Sequence, residues 1–179
     1  MFDDNQRTVL LQIAREAIEV QLKIRESLDP FREDFLHQPG SAFVTLTINE
    51  DLRGCIGTTD AREPLGEAIK HCAISAAFRD PRFPPLTKEE YPSIHLEISV
   101  LSPFRKVDHP EEVIAGTHGV MITRGYYRGL LLPQVATEYG WDRDTFLSYT
   151  CRKAGLPPGA WKDPATTIEV FTAEVFSEK

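Results

Sequence analysis

The chain has 179 residues, of which 41% are hydrophobic and 26% charged, a composition typical of a globular domain. Its 20 basic and 27 acidic side chains leave a net charge of −7 at pH 7. Such a chain repels a phosphate backbone, so we expect no nucleic-acid binding. Apolar runs such as Leu130–Leu132 fall far short of the roughly 20 residues that span a bilayer, so we expect no membrane contact either.

The cysteine pattern and the start of the chain favour a cytoplasmic protein. Cys55, Cys72 and Cys151 are odd in number and widely spaced, which is typical of reduced thiols rather than of a disulfide framework. The acidic segment Met1–Asn5 lacks the cationic stretch and the apolar run of a signal peptide.

Hydrophobic periodicity predicts a mixture of helices and strands along the whole chain. The first half predicts a helix over 8–20, a strand hairpin over 42–57, a helix over 65–80 and a strand over 94–100. The second half predicts a hairpin over 120–132, a helix over 142–154 and a closing strand over 167–176. Strands that are mostly joined by hairpins indicate an α+β fold, with a mostly antiparallel sheet flanked by helices. Because no repeat or flexible linker divides the sequence, we expect a single domain over residues 1–179.

The segment Leu52–Thr58 is unusual because two glycines, Gly54 and Gly57, enclose Cys55 within a strand. Glycine in a strand marks a bulge or a place where another group approaches the backbone closely. In a regular strand Arg53, Cys55 and Gly57 share one face, and a guanidinium beside the thiol favours the thiolate. The alternative is that Cys55 is a small buried apolar residue, as free cysteines often are.

The same segment, Leu-Arg-Gly-Cys-Ile-Gly-Thr, resembles the signature of the AMMECR family. Further stretches that resemble the family follow in order at 80–83, 97–101, 129–134 and 153–156. The resemblance implies a compact α+β fold with two unequal lobes, the smaller around 58–93, in which the cysteine segment lines a groove. Bacterial members are often encoded beside a Memo-like protein and a radical S-adenosylmethionine protein, so the resemblance implies these partners, but it implies no established reaction.

Charged and polar residues outside this segment provide further candidates. Asp80 and Arg82 lie in a proline-rich connection, where the arginine can bind a carboxylate or phosphate, or the two can pair and fix the loop. His118 lies between glycines and is the best candidate base for Cys55; the alternative is a turn histidine that bonds to backbone. Gln134 is expected where a strand meets a helix start, suited either to bind a ligand or to cap a chain end.

Several functions stay open at this stage. No metal-ligand spacing and no phosphate-binding glycine loop is present, so the sequence predicts no metal site and identifies no cofactor. In one hypothesis Cys55 is the thiolate of an enzyme component, with Arg53 beside it and His118 moving a proton. In another, the same groove binds a small molecule, a small anion or a peptide segment without catalysis. Its lining residues are then Arg53, Gly54, Gly57, Thr58, Asp80, Arg82 and Gln134. In a third, the thiol holds a metal or serves a radical or redox partner.

Overall fold

The computed structural model describes all 179 residues and divides them into two compact units. The first unit comprises Met1–Leu101 and Glu174–Lys179, and the second comprises Ser102–Ala173. Both combine helices with a four-stranded sheet, which confirms the α+β prediction. The segment 58–93, expected as a smaller lobe, lies wholly within the first unit. None of the helices is long and apolar enough to cross a membrane.

The first unit is a sheet covered on one face by two helices. Its elements are α1 (Asp4–Gln21), β1 (Ser41–Ile48), β2 (Asp51–Gly57), α2 (Leu65–Phe78), β3 (Ile94–Leu101) and β8 (Ala173–Ser177). The strand order is β2-β1-β3-β8, so β2 is an edge strand. The strand β1 pairs antiparallel with both β2 and β3.

The core of this unit lies between the sheet and the apolar sides of α1 and α2. Helix α1 begins at Asp4, four residues before the predicted start at residue 8, because the Asp3 carboxylate caps it by accepting a hydrogen bond from the Gln6 N–H at 2.8 Å. Val44 and Leu46 of β1 are fully buried in this core. Since side chains alternate along a strand, the residues between them project from the opposite face of the sheet.

The second unit packs its helices on a second antiparallel sheet. Its elements are β4 (Arg105–Lys106), β5 (Gly119–Arg124), β6 (Tyr127–Leu131), α3 (Pro133–Tyr139), α4 (Arg143–Lys153) and β7 (Thr167–Phe171). The strand order is β4-β7-β5-β6. Phe146 and Leu147 of α4 are fully buried and pack in the core with Ile122 of β5 and Val170 of β7.

Besides the short strand β4, which the sequence did not predict, two elements differ from the sequence predictions. The predicted closing strand over 167–176 is two strands, β7 and β8, which belong to different sheets. The break falls at Thr172, whose N–H donates to Ser102 Oγ and whose C=O accepts the Ser102 N–H, each at 2.9 Å. Apolar and β-branched residues continue through the break, so strand composition alone does not locate a change of sheet. The helix start expected at Gln134 is a seven-residue helix, α3, so the chain has four α-helices rather than three.

Candidate functional site

A row of polar side chains crosses the sheet face that points away from the helices. Thr45 of β1 lies opposite Cys55 on β2 and opposite Glu97 on β3. Directly opposed residues of antiparallel strands project to the same face, with Cβ atoms about 5 Å apart. Cys55, Thr45 and Glu97 therefore form a row across three strands, with Thr45 in the middle. We call it the Cys55 row.

Within the row, the Thr45 hydroxyl donates a hydrogen bond to the sulfur of Cys55 at 3.2 Å. Cys55 itself is partly buried. A donor directed at sulfur stabilises the charged thiolate more than the neutral thiol. The arrangement holds a partly accessible thiol whose sulfur accepts one side-chain hydrogen bond.

An ion pair fixes the backbone of Cys55 at the open edge of the sheet. Asp80 Oδ2 accepts the outward Cys55 N–H at 2.9 Å, and Arg82 Nη2 donates to the Cys55 carbonyl at 3.3 Å. Arg82 also donates through Nε and Nη2 to the two Asp80 carboxylate oxygens, at 2.9 and 2.7 Å. We call this Asp80–Arg82 pair the edge clamp. This contact agrees with the interpretation in which Asp80 and Arg82 pair and fix the loop. The pair also occupies the backbone N–H and C=O of Cys55, which an added strand would otherwise bind.

The Asp80 carboxylate of the edge clamp is buried and ionised. Asp80 is only 3% exposed, yet hydrogen bonds from Arg82 hold the pKa of its carboxyl well below the usual range, outweighing the opposing effect of burial. The same hydrogen bonds raise the pKa of the Arg82 guanidinium. Asp80 is therefore an anion at any pH near neutrality.

Arg53 lies at an irregularity of β2 rather than in a regular strand. Leu46 pairs with Gly54 and Thr47 pairs with Leu52, so Arg53 is an extra residue with no partner on β1. Such a β-bulge changes the direction of the side chain. The expectation that Arg53 and Cys55 share one face of a regular strand is corrected accordingly.

The guanidinium of Arg53 has an acidic partner of its own. Its Nε and Nη2 donate to the two carboxylate oxygens of Glu90 at 2.9 and 3.1 Å, and Nη2 also donates to the Pro84 carbonyl at 3.0 Å. These bonds from Arg53 lower the pKa of Glu90 to about 2. None of the hydrogen bonds of Arg53 goes to Cys55, so the residue anchors the segment that follows α2.

The glycines beside Cys55 allow close packing. A Cβ on Gly54 would lie 2.1 Å from the carbonyl oxygen of Ala76 in α2, and one on Gly57 would lie 2.3 Å from the Phe43 ring. Thr58 continues the pairing with β1 through its N–H, which donates to the Ala42 carbonyl at 2.9 Å. The backbone at Gly54, Gly57 and Thr58 is therefore used for close packing and strand pairing within the first unit.

The remaining predicted site residues, His118 and Gln134, belong to the second unit. His118 Nδ1 accepts the Ile114 N–H at 3.1 Å, the backbone contact of the turn-histidine alternative. Gln134 is the second residue of α3, directly after Pro133 at the first helical position. The pairing of His118 with Cys55 stays a prediction.

Cys55 differs in burial from the other two cysteines. Cys72 and Cys151 lie in the two hydrophobic cores, and burial raises the pKa of the Cys72 thiol to about 11 and also raises that of Cys151. All three are free thiols. Of the three, Cys55 alone is partly accessible to solvent.

The sequence prediction did not include Thr45 or Glu97. Alternation places both on polar sides of their strands, and Glu97 begins the stretch 97–101 that resembles the family. A single sequence does not show the register that pairs Thr45 with Cys55 on one side and with Glu97 on the other, since this register depends on pairing between distant strands.

A family model, related sequences and a solved structure each match nearly the whole chain. The family model described as AMMECR1 matches residues 11–176. A protein from Nanoarchaeum equitans is 45% identical, over 94% of this chain and 98% of its own. One from Methanothermobacter thermautotrophicus is 46% identical, over 98% and 95%. The crystal structure of an uncharacterised protein from Pyrococcus horikoshii matches with a TM-score of 0.87 at 41% identity, covering 96% of this chain and 90% of that one.

Proposed function

Because the chain belongs to the AMMECR1 family and carries Cys55 in its signature segment, we propose that Cys55 is the nucleophilic thiolate of an enzyme component. One observation carries the proposal: the Thr45 hydroxyl donates to the sulfur of the partly accessible Cys55 at 3.2 Å. A nucleophilic cysteine needs access to substrate and benefits from a hydrogen-bond donor at its sulfur; Cys55 is partly accessible and accepts the Thr45 hydroxyl.

The edge clamp fixes the position of the Cys55 backbone. Asp80 and Arg82 hold the N–H and the C=O of Cys55, so the backbone beneath the sulfur is fixed from two sides. A nucleophile held in one place loses less entropy when it attacks, which lowers the barrier of the step. In this function Asp80 and Arg82 are positioning residues.

Non-catalytic binding of a small anion or a partner segment is the second candidate, and one observation favours it. The side chain of Arg82 is 53% exposed, which leaves part of a guanidinium open to solvent. However, its Nε and Nη2 already donate to Asp80, and the clamp occupies the outward backbone groups of Cys55. An extended peptide therefore finds no free pairing groups at Cys55, and we favour the thiolate.

Selective alkylation tests the proposed nucleophile. We expect iodoacetamide at pH 7 to modify Cys55 at least 100-fold faster than Cys72 or Cys151, because those thiols are buried and protonated. Thr45→Val removes the hydroxyl donor and should slow the modification of Cys55 about tenfold, the effect of one lost hydrogen bond to a charged group. Mass spectrometry of the cysteine peptides over time measures each rate.

Thr47→Val is the matched control, since Thr47 has the same residue type on the same strand face but no hydrogen bond to sulfur. This variant should react at the wild-type rate. A Cys55 that reacts no faster than the two buried thiols would exclude the nucleophile. Equal slowing by both threonine variants would remove the specific role of Thr45.

The partners of this component are part of the same proposal. The family resemblance supports a Memo-like protein and a radical S-adenosylmethionine protein. We expect both, taken from the same genome and co-expressed, to co-purify with the tagged chain. Cys55→Ser should retain them, because the thiol serves chemistry rather than docking. An eluate without either protein would contradict the partnership and leave the alkylation result unaffected.

A further inference from the structure

The strand β8 forms the second edge of the first unit's sheet, and its outward backbone groups are free. The strand order β2-β1-β3-β8 leaves β8 without a neighbour on one side. The Glu178 N–H donates to the Leu96 carbonyl of β3 at 3.0 Å. Because successive strand residues direct their backbone groups to opposite sides, Val175 and Ser177 direct theirs away from β3. Both residues are exposed, and no side chain bonds to these groups, unlike at the edge that the clamp covers.

A groove of about 580 Å³ lies beside this open edge, between α1 and β8. We call it the α1–β8 groove. Its helical wall is one stripe of α1 from Asp4 to Arg15, which is about 16 Å long, the span of roughly five strand residues. Its other wall runs from Phe176 to Lys179. A strand added to β8 would therefore lie along the groove and place every second side chain in it.

The centre of the α1–β8 groove is apolar. Leu11 of α1 and Phe176 of β8 both line it and are partly buried. Ion pairs between α1 and β8 lie on either side of them along both elements: Arg7 with Glu174 at 2.9 Å, and Arg15 with Glu178 at 2.6 Å. Because these charges already have partners, the centre of the groove suits an apolar side chain better than a charged one.

The distribution of charge indicates which kind of strand binds here. The chain has a net charge of −7, and in the second unit eight basic side chains balance eight acidic ones. The whole negative excess therefore belongs to the first unit, which carries the groove. Such a unit repels a second copy of itself and an acidic segment, and it attracts a basic one.

We propose that the α1–β8 groove binds an extended, basic segment of a partner protein, which pairs with β8 as an added antiparallel strand. Opposed residues of paired strands project to the same face. The segment residue opposite Phe176 therefore projects towards α1, and its apolar side chain fills the centre of the groove. The two residues beside it bond to the backbone of Val175 and Ser177. Because β2 and β8 are opposite edges of the sheet, this site is independent of the Cys55 nucleophile.

The peptide acetyl-Lys-Thr-Leu-Thr-Lys-amide is the probe, with its leucine placed opposite Phe176. Titrated into the isotope-labelled full chain, it should cause saturable NMR shifts at the amides of Val175 and Ser177. N-methylation of both threonines removes the N–H donors that face β8 and should weaken binding about tenfold or more, the effect of two lost hydrogen bonds. N-methylation of the leucine and the second lysine removes N–H groups that face away from β8. This matched probe should bind within about threefold of the parent peptide.

Variants of α1 test the groove itself. Thr8 lines the groove at an exposed position, so Thr8→Trp fills the groove and should weaken binding of the probe about tenfold or more. Asn5→Trp is the matched control, because Asn5 is an exposed residue of the same helix outside the groove. It should bind the probe within about twofold of wild type. Circular dichroism checks that both variants are folded. The acidic peptide acetyl-Glu-Thr-Leu-Thr-Glu-amide should bind the wild type about tenfold more weakly than the basic probe.

Each part of the proposal has an outcome that overturns it. Equal affinity of the two methylated probes would overturn the added strand, and equal affinity of wild type and Thr8→Trp would overturn the groove. Equal affinity for the acidic peptide would overturn the basic partner. Shifts at Val175 and Ser177 that grow with protein concentration alone would assign the edge to a second copy of the chain. No saturable shift at these amides with millimolar probe would overturn the whole proposal.

Discussion

Asp80→Asn is expected to lower the free energy of unfolding by about 3 kcal/mol. The buried carboxylate accepts four hydrogen bonds, one from the Cys55 N–H and three from the N–H, Nε and Nη2 of Arg82. An asparagine has one acceptor oxygen, and its NH₂ group would face the guanidinium donors. The substitution therefore removes charge-assisted bonds and leaves buried donors without partners.

Urea unfolding followed by circular dichroism measures this loss; where two transitions are resolved, the shift belongs to the transition of the first unit. Asp60→Asn is the control, because Asp60 pairs with Arg62 at the surface, with side chains 59% and 86% exposed. It should change the stability by less than about 0.5 kcal/mol. Equal effects of the two substitutions would contradict the structural role of the edge clamp.

The effect of Asp80→Asn should also depend on pH in a defined direction. The folded state lowers the pKa of Asp80, so its contribution is complete above the ordinary aspartate pKa of about 3.9. This contribution is lost as the pH falls towards the lowered pKa that Asp80 has in the folded state. The stability difference between wild type and Asp80→Asn is therefore constant from pH 5 to 7 and decreases below about pH 4.

Gly54→Ala is expected to destabilise the first unit by about 3 kcal/mol or more. A Cβ at this position would lie 2.1 Å from the backbone oxygen of Ala76, so α2 has to move away from β2. A backbone atom cannot rotate out of the way as a flexible side chain can. The displaced helix then loses contacts across the core that it shares with β1.

Gly159→Ala is the matched control for this substitution. Nothing lies within 4 Å of a Cβ at Gly159, and its φ of −88° suits any residue. The control should be neutral or slightly stabilising, because alanine restricts the unfolded chain. The same urea experiment compares both variants. A Gly54→Ala protein as stable as the control would show that α2 and β2 do not pack as closely as described.

Local patterns predicted the elements of the first unit well. The helix that Asp3 caps, the hairpin of β1 and β2, and the apolar stripe of α2 each depend on residues close together in sequence. The turn after β1 and the proline after α2 mark boundaries that a single sequence displays, whereas apolar periodicity placed the start of α1 four residues late. The same reasoning failed at Thr172, where one continuous stretch of strand-forming residues serves two different sheets.

The candidate site was predictable only in part. Cys55 was recognised because glycines surround it, yet its supporting residue was taken to be Arg53 rather than Thr45. The bulge that redirects Arg53 leaves no signal in a strand pattern, and the register that aligns Thr45 with Glu97 is a property of three paired strands. Contacts between residues distant in sequence decided both outcomes.

The edge clamp also bears on how this protein behaves at high concentration. An uncovered border of a sheet is where identical chains associate strand to strand and begin to aggregate. At Cys55 such association would also bring thiols of two molecules together, where oxidation could cross-link them. Asp80 and Arg82 occupy the N–H and the C=O of Cys55, so another copy of the chain finds no free backbone groups at this cysteine.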